Sequence, residues 1–169
     1  NYTYAESQYS DISSDLNLTN VDTVLFEDYK KSAVSVSLHY DNTDDFYVPR
    51  NGLSASTSFE FAGLGGTAKF IKNNNTFKAY KGVADYCGFD LILRYKARFS
   101  HIFYDEKSDN ARIDLPTAER FYMGGVGSVR GYESYTLSPR DGLDRRIGGQ
   151  TMLINSLEAS FPLVPKAKL

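Results

Sequence analysis

The residues best equipped for chemistry fall in one glycine-rich run, Phe121-Tyr122-Met123-Gly124-Gly125-Val126-Gly127-Ser128-Val129-Arg130-Gly131-Tyr132. Its single cation, Arg130, is framed by glycines at 124, 125, 127 and 131, which open backbone conformations closed to other residues. Such a loop can fold back on itself and approach a wall closely. A guanidinium carries five donors in a planar fork. In a partly dewatered cavity it seeks a carboxylate or a set of carbonyls and pins whatever carries it. The chemistry expected of this run is holding, not bond breaking.

Other readings of the chemistry-bearing residues fail on spacing. Gly125-Val126-Gly127-Ser128-Val129-Arg130 begins like a dinucleotide-binding G-x-G-x-x-G, but Arg130 takes the third glycine position and no helical pattern follows. Ser128 lacks the G-x-S-x-G frame of an esterase elbow, because Val126 stands at the first glycine. His39 and His101 have no local metal-ligand spacing and read as strand residues. Asp41-Asn42-Thr43-Asp44-Asp45 lacks the glycine of a calcium loop, Phe46 taking its place, and has no closing glutamate. It reads as a solvated acidic turn. Cys87 is the single cysteine, which excludes an internal disulfide and a multi-cysteine zinc site; it reads as a small buried or lipid-facing residue. Asn17-Leu18-Thr19 fits a glycosylation sequon, a tripeptide frequent by chance. No catalytic residue, metal or cofactor is expected.

The elements that must position Arg130 are strands. Among 169 residues there are 13 tyrosines and 11 phenylalanines but no tryptophan, a composition suited to strands with one apolar and one polar face. The net charge of −2, with dispersed basic residues, gives no footprint for nucleic acid. No apolar run is long enough for a transmembrane helix. A mean hydropathy of −0.40 does not exclude a barrel, whose strands are apolar only at alternate positions.

Period-two alternation is clear in three segments. In residues 32 to 41, Val34, Val36, Leu38 and Tyr40 alternate with Ser35, Ser37, His39 and Asp41. In residues 53 to 62, Leu53, Ala55, Thr57, Phe59 and Phe61 oppose Ser54, Ser56, Ser58 and Glu60. In residues 91 to 100, Leu91, Leu93, Tyr95, Ala97 and Phe99 oppose Arg94, Lys96, Arg98 and Ser100. Weaker strands are expected at 2 to 10; at 76 to 87, with Tyr80, Gly82, Ala84 and Tyr86 opposite Lys81, Val83 and Asp85; and at 150 to 162. In the last, Leu153, Leu157, Ala159 and Phe161 oppose Ser156 and Glu158, and Asn155 falls on the apolar face, which requires an interfacial position or a different register.

Long polar connections at 11 to 31, 63 to 75 and 105 to 147 alternate with tight turns at Tyr47-Val48-Pro49-Arg50-Asn51-Gly52 and around Gly88. The fold class is thus all-β, an antiparallel up-and-down meander of about six strands. A strand of about ten residues tilted by about 45° spans about 23 Å, the height of an outer-membrane apolar band. A soluble β-sandwich remains open; it would bury Leu91, Leu93, Tyr95 and Phe99, whereas a barrel strand would expose them.

The Val129-Arg130-Gly131-Tyr132 tetrapeptide, preceded by aromatic-x-Gly-Gly and followed by Gly148-Gly149 and a strand with Leu157-Glu158, resembles the BamA-type superfamily of outer-membrane β-barrels. The aromatic-x-Pro-x-x-Gly turn at Tyr47 to Gly52 is similar to that superfamily's periplasmic turn. The order of landmarks matches as well, which places residues 1 to 162 at roughly strands seven to twelve of a barrel of about sixteen. The resemblance implies that residues 1–169 are a partial outer-membrane β-barrel domain, an excised piece of a longer protein. Residues 105–147 would be the long extracellular loop, folding toward the lumen.

The resemblance further implies that Gly124, Gly125, Val129, Arg130, Gly131 and Tyr132 form the loop motif, in which the arginine holds the sixth loop inside the barrel. The family's acidic partner lies in later strands. Glu60, Asp85 and Glu158 are the lumen-facing candidates for a substitute within this chain.

By resemblance the parent is a non-enzymatic machine of the bacterial outer membrane that folds and inserts β-barrel proteins. Its expected partners are nascent outer-membrane β-barrel proteins, assembly-complex lipoproteins through the parent, and the lipid bilayer. A TamA-like or two-partner-secretion translocation barrel of the same superfamily is the alternative, with the soluble sandwich a third. Two unpaired strand edges invite pairing with another chain. The isolated 169-residue chain is therefore expected to self-associate or rearrange. Light scattering after size exclusion checks this, and a stable monomer without detergent contradicts it.

Overall fold

The computed structural model describes residues 1–7, 28–83, 90–107, 114–142 and 144–161. Within them lie six strands, β1 (Tyr2–Ser7), β2 (Tyr29–Asp41), β3 (Asn51–Ala62), β4 (Phe70–Gly82), β5 (Ile92–Phe103) and β6 (Thr151–Ser160). Each pairs with its neighbour in sequence to give one sheet in the order β1-β2-β3-β4-β5-β6. β1 runs antiparallel to β2, with Tyr2 opposite Val34 and Ser7 opposite Tyr29. This is the expected meander. Asn17, Asp85 and Cys87, the tight turn around Gly88 and the ends of three expected strands (8 to 10, 84 to 87 and 162) lie outside the described residues.

Alternation decides which side chains face out. Along β2, Val34, Val36, Leu38 and Tyr40 are all exposed, as are Leu53, Phe59 and Phe61 of β3 and Leu153 and Leu157 of β6. On β5, Leu93, Tyr95 and Phe99 are 37%, 39% and 45% exposed. A sandwich would have sequestered these rows between two sheets. Exposed apolar rows on consecutive strands are what a barrel wall presents to lipid.

Contacts divide the chain into two compact units. The first comprises Asn1–Val36, Ser58–Asn73 and Ser100–Met152, and the second Ser37–Thr57, Asn74–Phe99 and the described part of Leu153–Leu169. The first unit holds the core. Ala33 of β2, Ala62 of β3, Phe70 of β4 and Ile102 of β5 are buried together with Ala68 and with Leu115 from the β5–β6 connection. Each of these strand residues belongs to the row opposite the exposed one. The core thus forms on the face that the alternation reads as polar, because the β5–β6 connection covers it there, and small alanines let that connection come close.

The second unit carries the β2–β3 turn. Asp44 accepts backbone N–H bonds from Arg50 and Asn51 at 2.8 and 3.1 Å, and Asp45 from Tyr47 and Val48 at 2.7 and 2.8 Å. The acidic cluster therefore caps its own turn. Asn51 and Gly52, expected in the turn, already belong to β3.

Two expectations about β4 need correction. It starts at Phe70, so the preceding connection covers 63–69 rather than 63 to 75. Asn73-Asn74-Asn75 looks like loop because asparagine is depleted in strands. Here Asn73 donates to the Ser58 carbonyl at 3.3 Å, while Asn75 accepts from Thr57 Oγ1 at 2.8 Å and donates to the Phe99 carbonyl at 3.4 Å, so the side chains reinforce the ladder. The face assignment also inverts: Ile71, Phe77 and Lys81 are the exposed row, and Tyr80 belongs with the row opposite. The aromatic at 80 suggested an apolar face, but the phase is set by Ile71 and Phe77.

Asn155 keeps its place on the apolar row of β6. Its amide oxygen accepts a 2.8 Å hydrogen bond from the Tyr95 hydroxyl, which lies on the apolar row of β5, so the register is right and that oxygen has a partner.

The backbone comes very close to itself at Gly66 in the first unit. The N–H groups of Thr67 and Ala68 both reach the Lys30 carbonyl, at 2.9 and 3.1 Å, and a Cβ on Gly66 would sit 2.3 Å from that oxygen. Gly66→Ala is expected to destabilise the barrel by about 1–3 kcal/mol through this overlap. A fall in the temperature at which the folded band is lost on electrophoresis checks it.

Candidate functional site: the loop motif and its anchor

The β5–β6 connection is folded on itself. Phe121 and Gly149 exchange two backbone hydrogen bonds of 2.8 Å, and Leu137 donates to Met123 at 3.0 Å, so the connection leaves and returns as a narrow ribbon. Beyond this point Gly125 bridges Val129, and its N–H donates to the Tyr132 carbonyl at 2.9 Å. Ser128 closes the turn. Its hydroxyl accepts from the Gly124 N–H and donates to the Gly124 carbonyl, both at 2.8 Å.

At Gly124 φ is +115° and a Cβ would lie 2.3 Å from the Glu133 carbonyl oxygen. Only glycine allows both the conformation and the contact. These bonds bring Gly124, Gly125, Val129, Arg130, Gly131 and Tyr132 into one compact tip, with Val126, Arg130 and Tyr132 exposed.

The base of the connection is held differently. Pro116, extended at φ −57° and ψ 147°, leads into a single 3-10 turn at Thr117–Glu119. Leu115 is buried just before it, and the Asp114 carbonyl accepts from the Lys69 N–H at 2.8 Å. The turn delivers Glu119 to a pair of lysines. Glu119 Oε1 is 2.8 Å from Lys31 Nζ and Oε2 is 2.7 Å from Lys72 Nζ, while Lys31 Nζ also lies 3.0 Å from Glu60 Oε1.

The Tyr29 hydroxyl points at Glu119 Oε1 from 3.5 Å. Lys72 Nζ stands 5.3 Å from the Phe70 ring centroid and 5.7 Å from that of Phe121, within cation–π range. The side chains of Lys31, Lys72 and Glu119 are 14%, 13% and 11% exposed. Charges this far from water are tolerated only when paired. The two cations and two anions here sum to zero.

Of the candidate carboxylates, Glu60 is engaged by Lys31 and Glu158 lies exposed on β6, in the row of Met152, Ile154 and Ser156. Asp85 falls outside the described residues. Sequence reasoning missed Lys31, Lys72, Glu119 and the clasp made by Ser128. A signal did exist: Lys31, Glu60 and Lys72 each occupy the non-lipid row of one of three neighbouring strands. It was hidden because residues 31 and 72 were both read as loop, in the connections expected at 11 to 31 and 63 to 75, whereas β2 already begins at Tyr29 and β4 at Phe70.

Burial works to raise the Glu119 carboxyl, but the hydrogen bonds and charges of Lys31 and Lys72 outweigh it and hold it below the ordinary glutamate range. A folded value below the unfolded one contributes stability that is present above about pH 4.3, the unfolded value, and is lost as pH falls through the depressed value. The contribution of Glu119 to thermal stability is therefore expected to be full and independent of pH near neutrality and to fall in acid. Glu119→Gln should remove that part of the acid slope. Melting followed from pH 7 down to about pH 3 checks this, and identical slopes in the two proteins contradict it.

Residues 1–168 match the Omp85 superfamily domain. The chain is similar to the outer membrane protein assembly factor BamA of Nitratidesulfovibrio vulgaris, with 36% identity over 137 residues, 79% of this chain and 16% of that protein. It is also similar to a SAM50-like protein of Schizosaccharomyces pombe, with 30% identity over 139 residues, 80% of this chain and 28% of that protein. The crystal structure of BamA from Haemophilus ducreyi lacking POTRA domains 1-3 shares the fold, with a TM-score of 0.68 and 20% identity over 85% of this chain and 28% of that one. The chain thus spans 16% and 28% of the length of the two curated relatives. With the match running over almost every residue, and with the exposed apolar rows and the folded Arg130 loop already in place, the chain belongs to the Omp85 superfamily.

Proposed function

We propose that this chain is a stretch of the wall of an outer-membrane barrel in a machine that folds and inserts β-barrel proteins, and that its β5–β6 connection is the loop that folds toward the lumen. The observation that carries the reading is the pairing of two faces. Lipid-type apolar rows lie on one side of the strands, and the other side is packed by a connection that presents Arg130 at a glycine-built tip. The bacterial outer membrane is its location.

In this reading Gly124, Gly125 and Ser128 shape the tip, and Val129, Arg130, Gly131 and Tyr132 hold it in the barrel. The guanidinium serves as a planar fork for carboxylate or carbonyl acceptors. The clients are nascent β-barrel proteins, and the parent's partners are the lipoproteins of an assembly complex. Work comes from the folding of the client, since burying strand edges and satisfying backbone groups in lipid is strongly favourable.

Complementation of the parent gene with Arg130→Ala and Arg130→Lys tests the reading. Arg130→Ala is expected to lower outer-membrane protein levels and to cost the barrel about 1.5–3 kcal/mol of loop holding. Arg130→Lys should rescue poorly, because an ammonium lacks the fork. Wild-type behaviour of both variants in assembly and heat-modifiability sinks the proposal.

A further inference from the structure

We infer that Glu119 is a positioning residue, a carboxylate staple that fixes the base of the β5–β6 connection across β2 and β4 and so sets where Arg130 is presented. The inference rests on the loop-holding reading only for its consequence at the tip; the staple itself stands on geometry.

Glu119 uses both oxygens, one for each lysine, and those lysines rise from different strands, β2 and β4. β3, between them, supplies Glu60 to the same lysine that Glu119 engages on β2. A single side chain of the connection therefore ties β2 to β4, and β3 joins the same cluster through Lys31. The apolar seal lies beside it: Leu115, four residues earlier, is fully buried against Ala33, Ala62, Phe70 and Ile102, and Phe121, two residues later, packs on that core and lies near Lys72.

The tip, by contrast, is organised by bonds within itself, Gly124 to Ser128 and Gly125 to Tyr132. The tip is therefore presented as a formed unit by the base from which the paired ribbon rises. Removing Glu119 leaves Lys72 without its carboxylate in a largely dry site, a costly state that undocking of the base relieves by admitting water.

The test uses the full-length protein in its membrane, in a cysteine-free background (Cys87→Ser within this chain) with Leu115→Cys as the probe, read by its rate of maleimide labelling. Heat-modifiability on electrophoresis reports in parallel that the barrel is folded. In the parent the thiol is buried and labels slowly. Glu119→Gln is expected to raise the rate about tenfold or more in the folded barrel. Inverting all four charges in one charge swap (Lys31→Glu, Glu60→Lys, Lys72→Glu and Glu119→Lys), which keeps the cluster neutral and every contact between opposite charges, should return it to within about threefold of the parent. Should Glu119→Gln fail to fold, Lys72→Gln is read instead and is expected to raise labelling in the same direction.

An unchanged rate in whichever of these variants is read overturns the staple, as does a charge swap that labels as fast as Glu119→Gln. Positioning is read separately. If the base sets the tip, Arg130→Ala adds no further assembly defect in the Glu119→Gln background, whereas full additivity overturns positioning. Labelling at residue 115 does not depend on what Arg130→Ala does, so failure of the loop-holding reading and failure of the staple give different results.

Discussion

Successive side chains of a strand point to opposite faces, and in this protein the two faces answer to different surroundings. Everything else follows from that constraint. One row on each strand carries Val, Leu, Phe and Tyr outward, where lipid replaces the water that would otherwise forbid it. The other row cannot be apolar throughout, because it meets a polar interior, nor charged throughout, because the β5–β6 connection covers part of it. The first unit resolves this locally. Where the connection lands, the strands offer Ala33, Ala62, Phe70 and Ile102, and immediately alongside they offer Lys31, Glu60 and Lys72, whose charges cancel with that of Glu119 from the connection.

The connection accordingly has two kinds of attachment. At its base, burial of Leu115 and the Glu119 ion pairs act together: the apolar contact dries the site, and a dry site makes the paired charges interact strongly while making an unpaired one costly. At its tip, glycines and Ser128 produce a shape that needs no wall to hold it. A loop built in this way presents a preformed end from a fixed foot.

Much of the fold was legible in the sequence because period-two alternation is a strong signal in β2, β3 and β5, where three or more apolar residues keep phase. The Arg130 tip was legible for another reason: glycines at such density have few uses besides a tight, close-packed loop. β4 was misread at its start and in its phase because Asn73, Asn74 and Asn75 suggest a loop in isolation, and only the neighbouring strands reveal that two of them bind across the ladder. Glu119 was invisible for a related reason. Its meaning depends on Lys31 and Lys72, 88 and 47 positions away, and no local pattern announces a contact of that range.

The hydrogen bond from Tyr95 to Asn155 has a bearing on how the wall finds its alignment. Both groups sit on outward rows, where lipid offers no substitute donor or acceptor. Sliding β6 by one residue along β5 would turn Asn155 to the other face and strand the tyrosine hydroxyl in hydrocarbon. An apparent flaw in an apolar row thus acts as a proofreading mark, a polar pair that is satisfied in one alignment of the two strands and penalised in the adjacent ones.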